Sequence, residues 1–594
     1  MQTIRRLYLY LMAGIGLAVA SFGLVQLLAL VLDRIGAFGG SVISSDGADV
    51  RDRLSLALSM IAVGTPVWLS HWWLAERGVR HGVAGAEAER STPLRALYLA
   101  LVGFIALVVA LFGASAAIHI LIRQVAGAPE EYGGTLSDPA ALAIVGGVAW
   151  GYHAWIRAGD ERAGELRGPA AWLPRLARYA LAFIAGLMLC FGAAALIDVA
   201  LRSLVGRGDI VSGEAWWVAR VATGVGQLAV GAAAWGGLWL ISSRLLAGED
   251  WRAASERTSA VRQVFLGLGI VVGAAATLLA ASGGLAALLR WALGIAESAD
   301  PARLVQDVIA PSIAYLPFTL AWWFSRSRLL GEAARTGDET VVAAARRRAN
   351  FLAAAVGIAV AGAGSAWVLG LLLDIILGGV RTIAAGRDVW GSELSQYAAF
   401  AIVGTPPWLW QWAAAVRRRS AEPDVEGTST ERRAYLYLVI AGALTSSISA
   451  AALIVYRFFG IVLGARVPAS PISDLSTPIG IAVVAALIVA YHALALRADM
   501  RLRAALVAAA PADAEGAAPP ERVAGAVDVP VIVTGPPGTD PEAVVEIIRD
   551  RLPAGYGVRR PGAGQAGAGG GSDASPFCDG SGVPDNSSIV IGRS

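Results

Sequence analysis

Tryptophan and histidine are the side chains of this sequence best suited to binding chemistry, because they recur in six related segments. The segments are TPVWLSHWW, VAWGYHAW, AAWGGLWL, LPFTLAWW, TPPWLWQW and LIVAYHAL, and they contain twelve of the nineteen tryptophans. An imidazole can coordinate a metal ion, and an indole N–H can face a lipid headgroup. The candidate Trp/His layer consists of Trp68, His71, Trp72, Trp150, His153, Trp155, Trp235, Trp239, Trp322, Trp408, Trp412 and His492.

Three interpretations of this layer follow from its place at one end of an apolar helix in every segment. The first is an interfacial belt, in which the indole rings lie in hydrocarbon and their N–H groups face the headgroups. The second is a cytoplasm-facing ring that lines a vestibule or a lipid-headgroup site. The third is a metal site at His71, His153 and His492, which requires three helices to meet because no helix carries a histidine pair four residues apart. No metal site is predicted.

Prolines precede or lie within the same segments. The pattern VGTPxWLxxW occurs twice, at Val63 to Trp72 and at Val403 to Trp412. A proline inside a helix removes one hydrogen bond and bends the helix, so kinks are predicted at Pro66, Pro317 and Pro406. Such kinks act as hinges in some membrane proteins and are accommodated by packing in others.

The elements that position these residues are set by a sixfold repeat. An aromatic residue opens a long apolar stretch at spacings of 90, 81, 86, 86 and 84 residues, with an arginine three positions earlier in all copies but one. A fixed period indicates one supersecondary unit copied along the chain. The opening residues are Tyr8, Tyr98, Tyr179, Phe265, Phe351 and Tyr435.

Each copy holds two apolar helices, so twelve transmembrane helices are predicted. They span about 7–32, 54–75, 97–122, 139–156, 179–203, 219–242, 264–293, 308–324, 351–377, 397–416, 435–464 and 477–496. A copy with two crossings returns the chain to its starting side, so the six hairpins are parallel repeats. The predicted fold is an all-α integral membrane protein of six tandem two-helix hairpins, followed by a small α+β or partly disordered cytoplasmic tail.

The predicted domain boundaries follow from the repeat and from a change of composition near residue 504. Segment 504–526 is rich in Ala, Pro and Gly and is predicted to be a linker. The tail is predicted to hold strands in VDVPVIVTG, GYGVRR and SSIVIGR, with a helix from Asp540 to about Leu552. The domains are hairpin repeats at 1–90, 91–172, 173–258, 259–344, 345–428 and 429–503, the linker, and the tail at 527–594.

Composition supports a membrane protein and excludes several activities. Hydrophobic residues make up 56% of the 594 residues and charged residues 16%, which is too little polar surface for several soluble domains. All 48 basic residues are arginine, so a lysine Schiff base and a Walker A phosphate clamp are excluded. The N-terminal apolar run is too long for a cleaved signal peptide and is predicted to be the first transmembrane helix.

Arginine bias predicts the orientation. The N-terminus, the segments between copies and the stretch after the last helix carry 29 arginines, against 13 in the loops within the hairpins. The positive-inside rule therefore places both termini in the cytoplasm, in a bacterial cytoplasmic membrane. The bilayer is the predicted partner, and the tail is a candidate docking segment for a cytoplasmic protein. No nucleic-acid partner is predicted.

No cofactor and no enzymatic activity are predicted. GPPGT in the tail resembles the start of a nucleotide-binding loop, but Asp540 and Pro541 replace its Gly-Lys-Ser/Thr ending. Neither a nucleophile–base pair nor an acidic metal cluster is apparent in the sequence. Charged residues are also missing from the depth of the predicted helices, which argues against an ion-coupled carrier.

The hairpin entry, RRLYLYL at Arg5 to Leu11 and RRAYLYL at Arg432 to Leu438, resembles an uncharacterised family of bacterial multi-pass membrane proteins, domain of unknown function 5671. The resemblance covers roughly residues 1–500 and is weaker in copies three and four, where Leu176 replaces the arginine and Phe265 the tyrosine. It implies a bacterial membrane setting and no catalytic residues. The function expected is that of a structural, interaction or regulatory membrane protein. The alternatives are a channel or transporter and, after it, a lipid-active membrane enzyme.

Overall fold

The structure is a computed structural model, and most of the residues that it describes are helical. The described residues are 2–35, 47–79, 86–128, 135–164, 166, 168–204, 216–257, 259–295, 310–336, 338–377, 380–463, 471–509, 529–532, 556–559 and 588–593. They divide into two compact bodies, Met1–Arg503 and Ala504–Ser594. The predicted tail helix and nucleotide-loop segment, and most of the predicted linker, lie outside the described residues.

The long helices come in pairs, and a short helix follows every odd-numbered pair. Unit 1 comprises α1 (Gln2–Arg34), α2 (Gly47–Arg77), α3 (Ala86–Arg90), α4 (Pro93–Val125) and α5 (Ser137–Ala163). Unit 2 comprises α6 (Pro169–Leu204), α7 (Trp216–Ala247), α8 (Trp251–Arg257), α9 (Ala260–Ala292), α10 (Ala310–Ala314) and α11 (Leu316–Ala334). Unit 3 comprises α12 (Glu339–Ile376), α13 (Val380–Ala421), α14 (Pro423–Glu426), α15 (Thr430–Val462) and α16 (Pro471–Ala509).

Apolar sequence accounts for the length and hydropathy of these helices, and small residues account for their close packing. Among the described helices, nine are long and apolar enough to cross a membrane, and α5, α11 and α13 are outside that set. Within a pair the two backbones approach closely at a glycine. A Cβ atom built on Gly64, Gly231 or Gly404 would lie closer than 3.0 Å to the backbone of the facing helix. These three glycines hold the same position in the three units, so one mode of close packing recurs.

The helix pairs follow one another in space as they do in the chain. In the first five pairs the first helix packs on its own second helix, and α1 also packs on α5, α4 on α7 and α9 on α13, the second helices of the next pairs. In unit 3, Gly370 of α12 faces Thr477 of α16. Each interface between consecutive pairs therefore contains side chains from at least three helices.

One sequence-based expectation changes in the structure. The first opening aromatic residue is Tyr10 rather than Tyr8: Tyr10 is buried against Tyr98 with ring centroids 5.5 Å apart, whereas Tyr8 is 54% exposed. Residues two apart lie on opposite sides of a helix, so only one of them can face the core. At the third proline predicted to bend a helix, Pro317, the helical run is interrupted: α10 ends at Ala314, and α11 begins at Leu316 after a break at Tyr315. Proline fits there because the first turn needs no N–H donor.

The other two prolines predicted to kink helices lie inside continuous helices, Pro66 in α2 and Pro406 in α13. Between units 2 and 3, Asp338 caps α12. Its side chain accepts a hydrogen bond from the Thr340 backbone N–H at 2.8 Å. Hydrogen bonds from the Thr340 hydroxyl and backbone hold the pKa of Asp338 below its ordinary value. The cap satisfies an N–H group that the first turn leaves without a helical partner.

The residues described in the tail body beyond Ala509 form an antiparallel sheet of three short strands. They are β1 (Val529–Ile532), β2 (Tyr556–Arg559) and β3 (Ser588–Arg593), in the order β1-β3-β2. In this register Ile591 of the central strand pairs with Val529 on one side and Val558 on the other. The strands fall within the three segments from which strands were expected.

Candidate functional site

Unit 1 contains a cluster of aromatic and polar side chains where its two helix pairs meet. Cluster 1 is Trp72 of α2, Tyr98 of α4, and Tyr152 and His153 of α5. The Trp72 indole N–H donates to the Tyr152 hydroxyl at 2.5 Å, and the Trp72 and Tyr98 rings stack with centroids 5.1 Å apart. Trp72, Tyr98 and His153 are buried, and His153 is only 1% exposed. The cluster therefore joins the two pairs through contacts that exclude water.

The tautomer of His153 follows from its neighbours. Its Nδ1 lies 2.7 Å from the Ala149 carbonyl oxygen, which only accepts, so Nδ1 carries a proton. Its Nε2 lies 3.5 Å from the Tyr98 hydroxyl, which can donate to it. A neutral imidazole satisfies both contacts without placing a charge in the buried cluster.

A buried arginine ties the cluster to two carboxylates. Arg95 is 1% exposed, and its guanidinium Nε donates to Asp160 at 2.7 Å while Nη1 donates to Glu76 at 2.6 Å. The guanidinium carbon lies 5.6 Å from the Trp72 ring centroid. A buried charge needs such partners, because an unpaired one is strongly destabilising. These contacts connect α2, α4 and α5 at one depth.

Unit 3 repeats these ring positions and hydrogen bonds. Cluster 3 is Trp412 of α13, Tyr435 of α15, and Tyr491 and His492 of α16. The Trp412 N–H donates to the Tyr491 hydroxyl at 2.7 Å, and the Tyr435 hydroxyl lies 3.4 Å from His492 Nε2. His492 Nδ1 lies 2.9 Å from the Ile488 carbonyl oxygen, so the same tautomer is present. The Trp408 N–H adds a hydrogen bond to the Tyr435 hydroxyl at 3.1 Å.

The buried ion pair of unit 3 has a different set of partners. Arg432 Nε donates to Asp499 at 2.7 Å, and Arg419 Nε donates to the other oxygen of Asp499 at 2.5 Å. The Arg432 guanidinium carbon lies 4.8 Å from the Trp412 ring centroid. Val416 stands where unit 1 has Glu76, so this arginine has one carboxylate partner where Arg95 has two.

Unit 2 keeps the rings and the ion pair but not the polar groups of the cluster. Cluster 2 is Trp239 of α7, Phe265 of α9, and Phe324 and Ser325 of α11. The Trp239 and Phe324 rings meet at 68°, as Trp72 and Tyr152 do. Phenylalanine replaces both tyrosines and Ser325 replaces histidine.

The ion pair of unit 2 joins α9 to α11. Arg262 Nε donates to Glu332 at 3.0 Å, and Nη1 donates to the Tyr179 hydroxyl at 2.7 Å. Arg262 is 2% exposed, so this charge is buried as deeply as those of units 1 and 3.

Part of a pattern common to the three clusters was missed in the sequence analysis, which contains the arginine before the opening aromatic residue but not the acid on the fourth long helix. An arginine lies three residues before the Tyr or Phe on the third long helix of each unit. The fourth long helix then carries Tyr-His or Phe-Ser, six residues, and an acid. Tyr-His followed by Asp occurs at 152–160 and 491–499, and Phe-Ser followed by Glu at 324–332. Comparing alternate copies, rather than all six, would have revealed it.

The remaining members of the predicted Trp/His layer lie in different surroundings. His71 is half-buried, with Nδ1 2.7 Å from the Val67 carbonyl oxygen and Nε2 3.3 Å from the Tyr8 hydroxyl, outside cluster 1. The three histidines of the predicted layer therefore lie at three separate places: His71 outside the clusters, His153 in cluster 1 and His492 in cluster 3. Trp155 is 65% exposed, consistent with a lipid-facing position. Partly buried tryptophans pack beside the clusters or between pairs: Trp68, Trp150, Trp235, Trp322 and Trp408.

Trp72 and Trp412 are buried, and their indole N–H groups donate to the hydroxyls of Tyr152 and Tyr491. The described residues also contain no group of three or more His, Cys, Asp or Glu side chains arranged to hold a metal ion. The polar atoms of clusters 1 and 3 are directed mainly at one another. The arrangement can therefore hold helices together, which is the chemistry its geometry supports.

The comparisons with known proteins agree with a four-helix unit. The sequence matches the family described as Domain of unknown function (DUF5671) over residues 6–148, 98–173, 175–320 and 347–487. Three of these matches each begin in the first helix of a unit and reach its last long helix. No curated protein and no solved structure matches the chain. Because the family matches extend over well more than half of its length, this chain belongs to the DUF5671 family.

Proposed function

We propose that this chain is a structural or interaction protein of the bacterial cytoplasmic membrane, built from three four-helix units. In this proposal the buried clusters are fasteners that fix one helix pair on the next. One observation supports this proposal. The side chains of clusters 1 and 3 that could take part in binding or catalysis instead make contacts between helix pairs. His153 and His492, each 1% exposed, have both ring nitrogens facing protein atoms.

The proposal includes twelve membrane spans in six hairpins. Nine described helices meet the length and hydropathy expected of a span, and α5, α11 and α13 pack against them as second helices of their pairs. An even number of crossings per unit and the excess of arginine between pairs support cytoplasmic termini. The tail body at 504–594 is then cytoplasmic and available to a partner protein.

A stability and flux experiment tests the fastening role. His153→Gln and His492→Gln in the full-length protein should lower the melting temperature in detergent, because each removes a ring packed inside a cluster. Exposed Trp155→Phe is the matched control and should leave the melting temperature unchanged. In proteoliposomes, wild-type protein should not raise the flux of ions or small solutes above that of empty vesicles.

Two results would contradict the proposal. One is histidine variants that retain full thermal stability, since a fastener must contribute to stability. The other is solute flux in wild-type proteoliposomes that the histidine variants abolish, which would favour the channel or transporter alternative.

Topology is tested separately with single cysteines. In a background with Cys190→Ala and Cys578→Ala, Ala128→Cys lies within the second helix pair and Thr336→Cys lies between units 2 and 3. A membrane-impermeant maleimide should label the cysteine at 128 in intact cells and the cysteine at 336 only after permeabilisation. Equal labelling of both sites in intact cells would exclude the twelve-span arrangement.

A further inference from the structure

A glutamate lies on the short helix of each unit, six residues before the buried arginine. These are Glu89 of α3, Glu256 of α8 and Glu426 of α14, at matching positions. In unit 2 the hydroxyl of Tyr179 connects the two charges: it accepts from Arg262 Nη1 at 2.7 Å and donates to Glu256 Oε1. Tyr179, Glu256 and Arg262 are each at most 3% exposed, so one phenolic oxygen bridges a buried donor and a buried acceptor.

Unit 3 has the same ring without the oxygen. Phe351 takes the position of Tyr179, and its ring lies 5.0 Å from Tyr435, the separation found between Tyr179 and Phe265. Two buried polar atoms here lack a hydrogen-bond partner among the described residues, Arg432 Nη1 and Glu426 Oε1. They correspond to the two atoms that the tyrosine hydroxyl joins in unit 2. Both residues are 2% exposed, so bulk water does not reach them.

In unit 1 the corresponding arginine and glutamate are satisfied by two other contacts, and unit 3 has neither contact. Arg95 Nη1 donates to Glu76, and Arg6 binds both oxygens of Glu89. In unit 3, valine stands at the position of Glu76. The residue corresponding to Arg6 is Arg347, which pairs with Glu431 at 3.5 Å. Arg432 pairs with Asp499, and the other oxygen of Glu426 pairs with Arg418 at 3.5 Å. Leaving a buried guanidinium N–H and a buried carboxylate oxygen without hydrogen bonds is nevertheless costly, so a further group is expected to satisfy both.

We propose that unit 3 binds one water molecule between Arg432 and Glu426, in van der Waals contact with the edge of the Phe351 ring and near the place that the Tyr179 hydroxyl occupies in unit 2. The bound group must accept from a guanidinium and donate to a carboxylate. An anion would be repelled by Glu426 and a cation by Arg432, whereas water does both and is the size of a hydroxyl. The site is a structural hydration site that belongs to unit 3 alone among the three.

Exchange of the oxygen between units tests the proposal in the purified full-length protein. Phe351→Tyr supplies the oxygen covalently and releases the water, so the melting temperature in detergent should rise by about 1–3 °C. Tyr179→Phe removes it from unit 2 and should lower the melting temperature by a similar amount. Tyr10→Phe is the matched control and should change it little, because Glu76 already satisfies Arg95 Nη1. No gain, or a loss, for Phe351→Tyr overturns the proposal.

A cryo-EM map at a resolution that shows ordered waters gives a second test, which does not depend on a variant folding. Density is expected within hydrogen-bond distance of both Arg432 Nη1 and Glu426 Oε1 in the wild-type protein, and the tyrosine oxygen should replace it in Phe351→Tyr. A direct contact between the guanidinium and the Glu426 carboxylate, with no density between them, would show that unit 3 closes without water and overturn the proposal.

Discussion

Unit 2 has the helices, close glycine contact and buried arginine–carboxylate pair of units 1 and 3, but its aromatic cluster is apolar. Trp239 and Phe324 keep the ring geometry of Trp72 and Tyr152, while Phe265 and Ser325 replace the tyrosine and histidine that contact each other in unit 1. Ring packing and the ion pair are therefore the common requirement of the fold. The hydrogen bonds of the clusters are an addition made in the two outer units.

Unit 2 compensates on the other side of its arginine. Glu256 forms ion pairs with Arg178 at 2.6 Å and with Arg175 at 3.3 Å, and the Tyr179 hydroxyl links it to Arg262. Its polar network thus lies at the short helix α8, whereas those of units 1 and 3 extend into the aromatic cluster. The same architecture tolerates two distributions of polar groups, provided that each buried charge finds a partner.

The largest effect should come from removing a feature that all units share. Arg95→Leu removes the cation from buried Asp160 and from partly exposed Glu76, and Arg262→Leu removes it from partly exposed Glu332. Each variant should lose about 3–5 kcal/mol of unfolding free energy, measured by SDS titration in mixed micelles. Exposed Arg5→Gln is the control and should lose little. A small loss in unit 2 alone would mean that the ion pair is not part of the common requirement.

A second shared feature is the glycine at the close approach within a pair. Gly64→Ala in unit 1 and Gly231→Ala in unit 2 place a Cβ closer than 3.0 Å to backbone atoms of the facing helix. Overpacking of this kind should cost each variant about 1–3 kcal/mol in the same titration. Gly147→Ala is the matched control, since its Cβ would meet nothing within 4 Å. Unequal costs at Gly64 and Gly231 would show that the units pack differently despite their equal helix order.

Much of the fold was accessible from the sequence, because apolar runs and regular spacing report directly on helices that face lipid. The predicted helical segments lie largely within the observed long helices, and the chain's membership of the suspected family is confirmed. The pairing of hairpins into four-helix units was not found. Aligning the second helices of all six copies together obscured this pairing. Trp68 and Trp408 lie in odd-numbered helix pairs, whereas His153 and His492 lie in even-numbered pairs.

The candidate site was predictable in its residues but not in its contacts. Trp72, His153, Trp412 and His492 were in the predicted layer, yet their partners Arg95 and Asp160 were not. The Arg95–Asp160 and Trp72–Tyr152 contacts join residues 65 and 80 positions apart in sequence. The choice between a lipid-facing and an inward-facing indole depends on which side of the helix the next pair covers. Hydropathy alone does not determine that side.

The difference between the units should appear when the indole N–H is removed. Trp72→Phe loses the hydrogen bond to the Tyr152 hydroxyl, whereas Trp239 faces Phe324, which has no acceptor oxygen. Both variants lose similar ring area, so subtracting one loss of unfolding free energy from the other isolates the hydrogen bond. The Trp72 variant should be the less stable by about 1 kcal/mol. Equal losses would indicate that the cluster acts through ring packing alone.

The smallest effect should come from building the outer-unit contact into unit 2. Phe265→Tyr and Ser325→His together recreate the pair that Tyr98 and His153 form in unit 1. A double-mutant cycle should give a favourable coupling of about 0.5–1 kcal/mol, because a long, neutral hydrogen bond contributes little beyond packing. Phe265→Tyr combined with the exposed Ser446→Ala is the control pair, for which coupling near zero is expected. Zero coupling for the grafted pair as well would mean that the surroundings in unit 2 no longer orient an imidazole toward the tyrosine, so its divergence from units 1 and 3 extends beyond the cluster residues themselves.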